Sequence, residues 1–260
     1  MKKIAFVWAI FILSLNLSYA QNNRDTLFTQ IGHSVQIESG ILNQTKKVFI
    51  HLPFKFDKSK EYPLVVLADV MAFKPLSSIT EIMAYNRTIP FCIVVCAVPT
   101  NAQNDYSPII DDTSDAINGG KTMAFYEKEL FPYLASKYNI SKKIIWGQNY
   151  SGMFTTFILL SRPGLFDGYL SDVPRVDLLK KEIERENCFA NLGNDTVFYQ
   201  VSWTTLKNKP AGMNNLLKKL ESDAPDNLKW TYTAESDSIM ITHILTNYTY
   251  GLKAFFREME

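Results

Sequence analysis

Histidine and cysteine are scarce in this chain of 260 residues, which contains three of each. Three cysteines cannot pair completely within one chain, and Cys92 and Cys96 fall in a buried-strand pattern, so we interpret them as small apolar core residues. The paired Cys/His spacing of a zinc site is missing. A P-loop and a dinucleotide-type glycine run are missing as well, and the sequence therefore predicts no cofactor.

An excess of charge of either sign is also lacking. Lysine and arginine number 27 and aspartate and glutamate 26, for a formal net charge of +1. No basic stripe runs along the chain, which argues against a nucleic-acid partner.

Long apolar runs are absent beyond the first 20 residues. The only long run, residues 4–13, follows Lys2 and Lys3 and precedes the small residues Ser18 and Ala20. This order is typical of a secretory signal peptide cut after Ala20, and an uncleaved anchor is the alternative. The run is shorter than the roughly 20 residues that span a bilayer. We therefore expect an exported protein, periplasmic or secreted, with no stable membrane span and one mature domain over residues 21–260.

Periodic patterns predict a succession of strands and helices. Strand patterns cover residues 26–38, 46–52, 63–69, 91–98, 143–146, 168–171, 197–202 and 228–233, and helical patterns cover 122–138, 150–160, 213–221 and 242–257. Buried strands that alternate with helices predict an α/β fold with a mostly parallel central sheet, helices on both faces and antiparallel opening strands.

Residues 144–154 read Ile-Ile-Trp-Gly-Gln-Asn-Tyr-Ser-Gly-Met-Phe, an apolar strand, a turn of small residues and an apolar helix. This arrangement resembles the nucleophile elbow G-x-S-x-G of α/β-hydrolases, with Asn149 where the serine stands. A carboxamide has no oxygen that can be activated as a nucleophile. Asparagine does tolerate the positive φ that such an elbow often requires.

Further stretches occur in order along the chain. They are S-G-I-L at 39–42 with V-F-I-H-L-P at 48–53, Y-P-L-V-V-L-A-D at 62–69, D-Y-S-P at 105–108, G-G at 119–120 with E-L-F-P-Y at 129–133, G-Q-N-Y-S-G at 147–152, and R-P-G-L-F-D-G-Y at 162–169. Together they resemble the putative esterase family of the α/β-hydrolase superfamily, which includes enterochelin-esterase-like and esterase-D-like proteins. The resemblance implies an α/β-hydrolase fold over residues 34–256 and a small-molecule acyl ester, carbohydrate or siderophore-like ligand.

The same resemblance implies where the catalytic residues of the family should fall. The nucleophile falls on Asn149, the histidine on Ser238, and the acid near residues 204–205, although no Asp or Glu occurs between Asp195 and Glu221. All three parts of a nucleophile–base–acid system are then missing. Our first hypothesis is a catalytically degenerate, exported esterase-like protein that serves in binding or as a scaffold.

The alternative hypothesis is an active carboxylic-ester hydrolase with relocated catalytic residues, Ser151 as nucleophile and His243 as base. Ser151 also has a structural interpretation, since it occupies the second glycine position of the motif, where a small residue lets strand and helix pack. The backbone N–H groups of Tyr150 and of the loop at Val70 are the expected oxyanion donors. Residues 72–87 and 101–115 are expected to form the rim of the pocket. The sequence does not indicate a protein partner.

Overall fold

The computed structural model describes residues 31–108, 118–204, 209–235 and 240–259, and an eight-stranded sheet runs through them. The strand order is β1-β2-β4-β3-β5-β6-β7-β8. The strands are β1 (His33–Ser39), β2 (Gln44–His51), β3 (Glu61–Leu67), β4 (Ile93–Ala97), β5 (Asn139–Gln148), β6 (Gly168–Asp172), β7 (Val197–Thr204) and β8 (Leu228–Glu235).

The opening strands are antiparallel and the rest of the sheet is parallel. β1 pairs with β2 and β2 with β4 in antiparallel register, whereas β3, β4, β5, β6, β7 and β8 pair in parallel. The predicted α/β architecture is confirmed. Parallel strands covered on both faces need apolar side chains throughout, and residues 64–67 of β3 are fully buried.

Helices cover both faces of this sheet. They are α1 (Val70–Tyr85), α2 (Ala102–Tyr106), α3 (Gly119–Phe125), α4 (Phe131–Ala135), α5 (Tyr150–Ser161), α6 (Lys180–Glu184), α7 (Met213–Asp223) and α8 (Met240–Glu258). Ile145 of β5 packs in the same cluster as Phe154 of α5, while its neighbour Ile144 packs with Leu76 of α1 and Phe255 of α8. Because successive side chains of a strand point to opposite faces of the sheet, β5 contributes residues to two separate hydrophobic cores.

Residues 72–87, which we expected at the rim of the pocket, belong for the most part to α1, a helix of 16 residues. Pro75 inside the segment argues against a helix by sequence alone. Two other features outweigh it. The Asp69 carboxylate caps the helix by accepting from the Met71 N–H at 2.9 Å, and buried residues recur along one face: Ala72, Phe73, Leu76, Thr80 and Met83.

The helix predicted over residues 122–138 is present in three pieces. α3 runs into a π-helical turn, Tyr126–Leu130, which is followed by α4. The carboxylate of Glu129 in this turn accepts from the Gly40 N–H at 3.0 Å and the Ile41 N–H at 3.2 Å, so it ties the helix to the β1–β2 hairpin.

Some predictions fall outside the described residues. The signal peptide over residues 1–20 and the position of Ser238 are among them, and the single mature domain over 21–260 also stays a prediction. In the part of the chain that the structure describes, no helix combines the length and apolarity needed to cross a membrane.

Candidate functional site

Asn149 forms the sharp turn between β5 and α5. Its backbone has φ 55° and ψ −112°, and its side chain makes no capping hydrogen bond to the helix. Its N–H donates to the Asp172 carbonyl at 3.0 Å, and its carbonyl accepts from the Met153 N–H at 2.8 Å. The expected positive φ is therefore confirmed, and the residue is exposed at the carboxyl edge of the sheet.

Two glycines make this turn sterically possible. A Cβ on Gly147 would lie 2.3 Å from the Ser151 carbonyl oxygen, and a Cβ on Gly152 would lie 2.6 Å from the Asp172 carbonyl oxygen. Both distances are far below van der Waals contact with backbone atoms. The close packing of β5, α5 and β6 that defines an elbow is thus retained with asparagine at its centre.

Ser151 lies inside the turn. It is 3 % exposed, its hydroxyl donates to the Gln148 carbonyl at 2.9 Å, and it accepts from the Gln148 N–H at 2.9 Å. The hydroxyl therefore already has one donor and one acceptor, both in the backbone of Gln148. To act as a nucleophile, Ser151 would have to leave this position.

A buried histidine–carboxylate pair lies beside the elbow. His243 of α8 and Asp172 at the end of β6 approach to 2.8 Å between Nε2 and Oδ1, and their side chains are 1 % and 2 % exposed. The other ring nitrogen, Nδ1, is 3.3 Å from a carboxylate oxygen of Glu235 at the end of β8. Both nitrogens of His243 therefore face carboxylates.

Asp172 is further held by its neighbours in the sheet. Ser202 of β7 donates to Oδ1 at 2.6 Å, and the Gln148 side-chain amide donates to Oδ2 at 3.1 Å. Asn247, one turn further along α8, has its side-chain amide nitrogen 3.0 Å from His243 Nδ1 and donates to the His243 backbone carbonyl at 2.9 Å. We call Asp172, His243 and Glu235 the histidine cluster.

The cluster controls the protonation of His243. Burial alone lowers the pKa of this imidazole, but the hydrogen bonds and charges of Asp172 and then of Glu235 outweigh burial and leave the pKa raised. A protonated ring donates one N–H to each carboxylate and has no lone pair left to accept a proton. In this state His243 cannot serve as a general base.

Sequence reasoning missed Asp172 and gave His243 only a secondary role. The resemblance implies an acid just after β7, where the chain has no Asp or Glu before Glu221. A usable signal existed, since Asp172 ends a predicted strand, and the carboxyl ends of neighbouring parallel strands meet at one edge of a sheet.

Tyr150 and Val70, the expected oxyanion positions, each begin a helix. Tyr150 is the first residue of α5 and Val70 the first of α1. The first N–H groups of a helix have no partner within the helix, so both remain candidate donors to a ligand. The Tyr150 ring is half-buried under the guanidinium of Arg175, whose Cζ lies 5.5 Å from the ring centre.

Arg175 is itself fixed by a two-pronged ion pair with Asp177, at 2.9 and 2.8 Å. Asp177 lines a cleft of about 310 Å³ between the 3₁₀ turn Val176–Leu179, α6 and α7. The volume falls at the small end of ligand sites. The walls of the cleft are formed by Val176, Asp177, Lys180, Ile183, Glu184, Gly212 and Asn215.

Cysteine and metal chemistry receive no support from the described residues. Cys92, Cys96 and Cys188 are buried and unpaired, and burial raises the pKa of the Cys92 and Cys96 thiols. The interpretation of the first two as core residues is confirmed. No group of three His, Cys, Asp or Glu side chains in the described ranges could hold a metal ion.

Comparison with known proteins establishes the family. The family described as putative esterase matches residues 39–235, which is most of the chain, and the protein therefore belongs to it. No curated protein matches the chain.

Solved structures share the fold at low identity. An uncharacterised protein from Capnocytophaga ochracea has a TM-score of 0.74 and 21 % identity, over 88 % of this chain and 64 % of the other, so this chain spans just under two thirds of that protein. The siderophore hydrolase EstB from Aspergillus nidulans has a TM-score of 0.72 and 12 % identity, over 90 % and 97 %. The enterobactin esterase FES from Shigella flexneri, solved in the presence of enterobactin, has a TM-score of 0.65 and 14 % identity, over 88 % and 60 %.

Proposed function

We propose that this chain is an exported, non-hydrolytic member of the putative esterase family that binds a small ester instead of cleaving it. The observation that carries the proposal is Asn149, which occupies the exposed apex of the elbow with the backbone shape of a nucleophile position. An acyl-enzyme requires a side-chain oxygen or sulfur that can attack a carbonyl, and the carboxamide offers neither.

The state of His243 supports the same proposal. A serine esterase needs a neutral imidazole with one nitrogen on the acid and the other on the nucleophile. Here the two nitrogens contact Asp172 and Glu235, and both contacts favour the protonated ring. A base held in this way would have to lose a carboxylate partner before a nucleophile could reach its second nitrogen.

The elbow still offers groups that suit an ester or carboxylate. The amino-terminal N–H groups of α5 favour a partial negative charge, and the exposed Asn149 carboxamide can both donate and accept hydrogen bonds. The half-buried Tyr150 ring offers an apolar contact beside them. Solved proteins of this fold named as siderophore hydrolases and enterobactin esterases make a siderophore-like ester the first ligand class to test.

Hydrolysis of short-chain p-nitrophenyl esters by the purified protein tests the catalytic half of the proposal. We expect wild type, Asn149→Ala and Ser151→Ala to match an inert-protein blank. Turnover by wild type that one of these substitutions removes would overturn the proposal.

Thermal stabilisation by a panel of esters, enterobactin included, tests the binding half. A ligand that binds the folded state raises its apparent stability by mass action. We expect a shift for wild type that is reduced in Asn149→Ala, and no shift for a matched panel of alkanes. A shift that is equal in both proteins would place the ligand away from the elbow.

The second candidate, an active hydrolase with Ser151 and His243, gains one argument from the structure. His243 contacts the carboxylate of Asp172, and these two residues together correspond to the base and the orienting acid of a triad. A serine-directed fluorophosphonate probe separates the two candidates. Stable labelling of wild type that Ser151→Ala abolishes would establish the hydrolase.

A further inference from the structure

The backbone at Asn149 brings its own side chain towards the next peptide nitrogen. Its ψ is −112°. Because Cβ is offset from the backbone nitrogen by about 120° around the Cα–C bond, this ψ leaves Cβ within about 10° of eclipsing the Tyr150 nitrogen. Closure of a five-membered ring from Cγ to that nitrogen requires this near-eclipsed arrangement.

Three other asparagines of the described residues lack this geometry. Asn86 has ψ 6°, Asn101 has ψ 109°, and Asn118 has ψ 176°. In each of them Cβ is rotated well away from the following nitrogen, so Cγ cannot reach it without a change of backbone conformation. The conformation of Asn149 is maintained by the elbow itself, through the hydrogen bonds of its N–H and carbonyl and the close packing at Gly147 and Gly152.

We infer that Asn149 is a site of self-modification, at which the folded elbow promotes deamidation to a carboxylate. The Tyr150 backbone nitrogen loses its proton to solvent base and forms a bond to Asn149 Cγ. The Cγ–Nδ2 bond then breaks, and ammonia leaves with a proton from solvent. Water opens the resulting succinimide at either carbonyl and yields aspartate or isoaspartate, so that asparagine and water become the acid and ammonia.

The attacking N–H is well placed for this step. Tyr150 is the first residue of α5, and the first N–H groups of a helix have no partner within it. The positive end of the helix dipole also stabilises the negative charge that develops when this nitrogen loses its proton. The Asn149 side chain is exposed, so water can reach the ring.

Sequence alone directs attention to a different residue. Asn118 is the only asparagine followed by glycine, and a glycine offers the least steric hindrance to attack on the preceding side chain. In the fold the Gly119 N–H donates to the Ser107 carbonyl at 2.7 Å, and the Asn118 side chain accepts from the Lys121 N–H at 3.0 Å. Folding therefore protects Asn118, which the sequence favours for deamidation, and leaves Asn149 exposed to this reaction.

The product would fit the site where it forms. A carboxylate at the start of α5 interacts favourably with the helix dipole. The inference does not depend on the proposed function, because it follows from the backbone at residue 149 whether or not a ligand binds.

Peptide mapping by mass spectrometry tests the inference. The full chain is incubated in mildly alkaline buffer, once folded and once in guanidinium chloride, and conversion of Asn149 and Asn118 to the acid is followed with time. We expect the ratio of Asn149 to Asn118 conversion to exceed one in the folded protein and to fall below one in denaturant. Hydroxylamine should cleave the folded chain at residue 149, where the succinimide forms.

Two variants complete the test. Asn149→Gln keeps an amide but would need a six-membered ring, so we expect no conversion at this position, and Asn149→Asp supplies the reference product. Persistence of the amide at residue 149 while Asn118 converts in the folded protein would overturn the inference. Equal conversion of Asn149 in folded and denatured chains would overturn it as well.

Discussion

The elbow around Asn149 and the histidine cluster share one residue, Asp172, but they use different parts of it. The elbow uses the backbone, since the Asp172 carbonyl accepts from the Asn149 N–H at 3.0 Å. The cluster uses the carboxylate, which contacts His243 at 2.8 Å. One region is therefore held by main-chain geometry and close approach, and the other by contacts between titratable side chains.

This difference explains how the shape of the elbow can persist with asparagine at its centre. The elbow needs small residues at Gly147 and Gly152 and any residue that tolerates positive φ between them, so asparagine fits without loss of shape. The cluster depends on the identity of Asp172 and His243, because a buried charge without its partner is strongly destabilising.

The largest expected effect comes from breaking the cluster. His243→Gln removes the imidazole that contacts the buried Asp172 carboxylate at 2.8 Å, and we expect the free energy of unfolding to fall by about 3 kcal/mol in a urea titration. His33→Gln is the matched control, because His33 is exposed and should change stability little. Equal effects of the two substitutions would show that the cluster is not a stabilising element.

The next effect comes from breaking the elbow. Gly147→Ala places a Cβ 2.3 Å from the Ser151 carbonyl oxygen, and the backbone must shift to relieve the overlap. We expect a loss of about 2 kcal/mol, measured in the same titration. Gly40→Ala is the control, because its Cβ would meet only the flexible Glu129 carboxylate at 3.7 Å. A tolerated alanine at residue 147 would contradict the close packing of the turn.

The pH dependence of stability distinguishes a charged histidine cluster from a neutral one. The folded pKa of His243 is raised above its unfolded value of about 6.5. The contribution of His243 is therefore fully present below this value and is lost as the pH rises through the folded pKa. The stability difference between wild type and His243→Gln should be largest at acidic pH and shrink on the alkaline side. A difference that grows with pH would mean that the ring is neutral in the folded state.

The smallest expected effect concerns the hydroxyl inside the elbow. Ser151→Ala removes two hydrogen bonds to Gln148 but keeps a small side chain, and we expect a cost of about 1 kcal/mol. Thermal unfolding of this variant beside Thr249→Ala, which removes a single hydrogen bond on the exposed side of α8, measures it. A more stable Ser151→Ala would indicate that the hydroxyl is strained in its site.

The sequence by itself determined the class of fold. Buried apolar runs that alternate with helical patterns predicted the mostly parallel sheet. The motifs, in their order along the chain, predicted the family. Both signals can be read from the sequence because each is local in the chain. It also indicated the positive φ at Asn149, since the elbow that this segment resembles often holds its central residue in that region and asparagine tolerates it. Helix α1 was not predicted, because Pro75 lies within it and argues against a helix. The structure shows the helix, with Asp69 as its cap and its apolar face in the core.

Only the tertiary structure decided what the side chains at this edge do. His243, Asp172 and Glu235 lie on three different elements, and their meeting depends on the order and stagger of β6, β8 and α8. No spacing along the chain encodes that meeting, because residues far apart in sequence are brought together by the crossover connections of a parallel sheet. The same holds for Asn149 and Asn118, whose contrasting backbone angles come from packing and not from their neighbours in sequence.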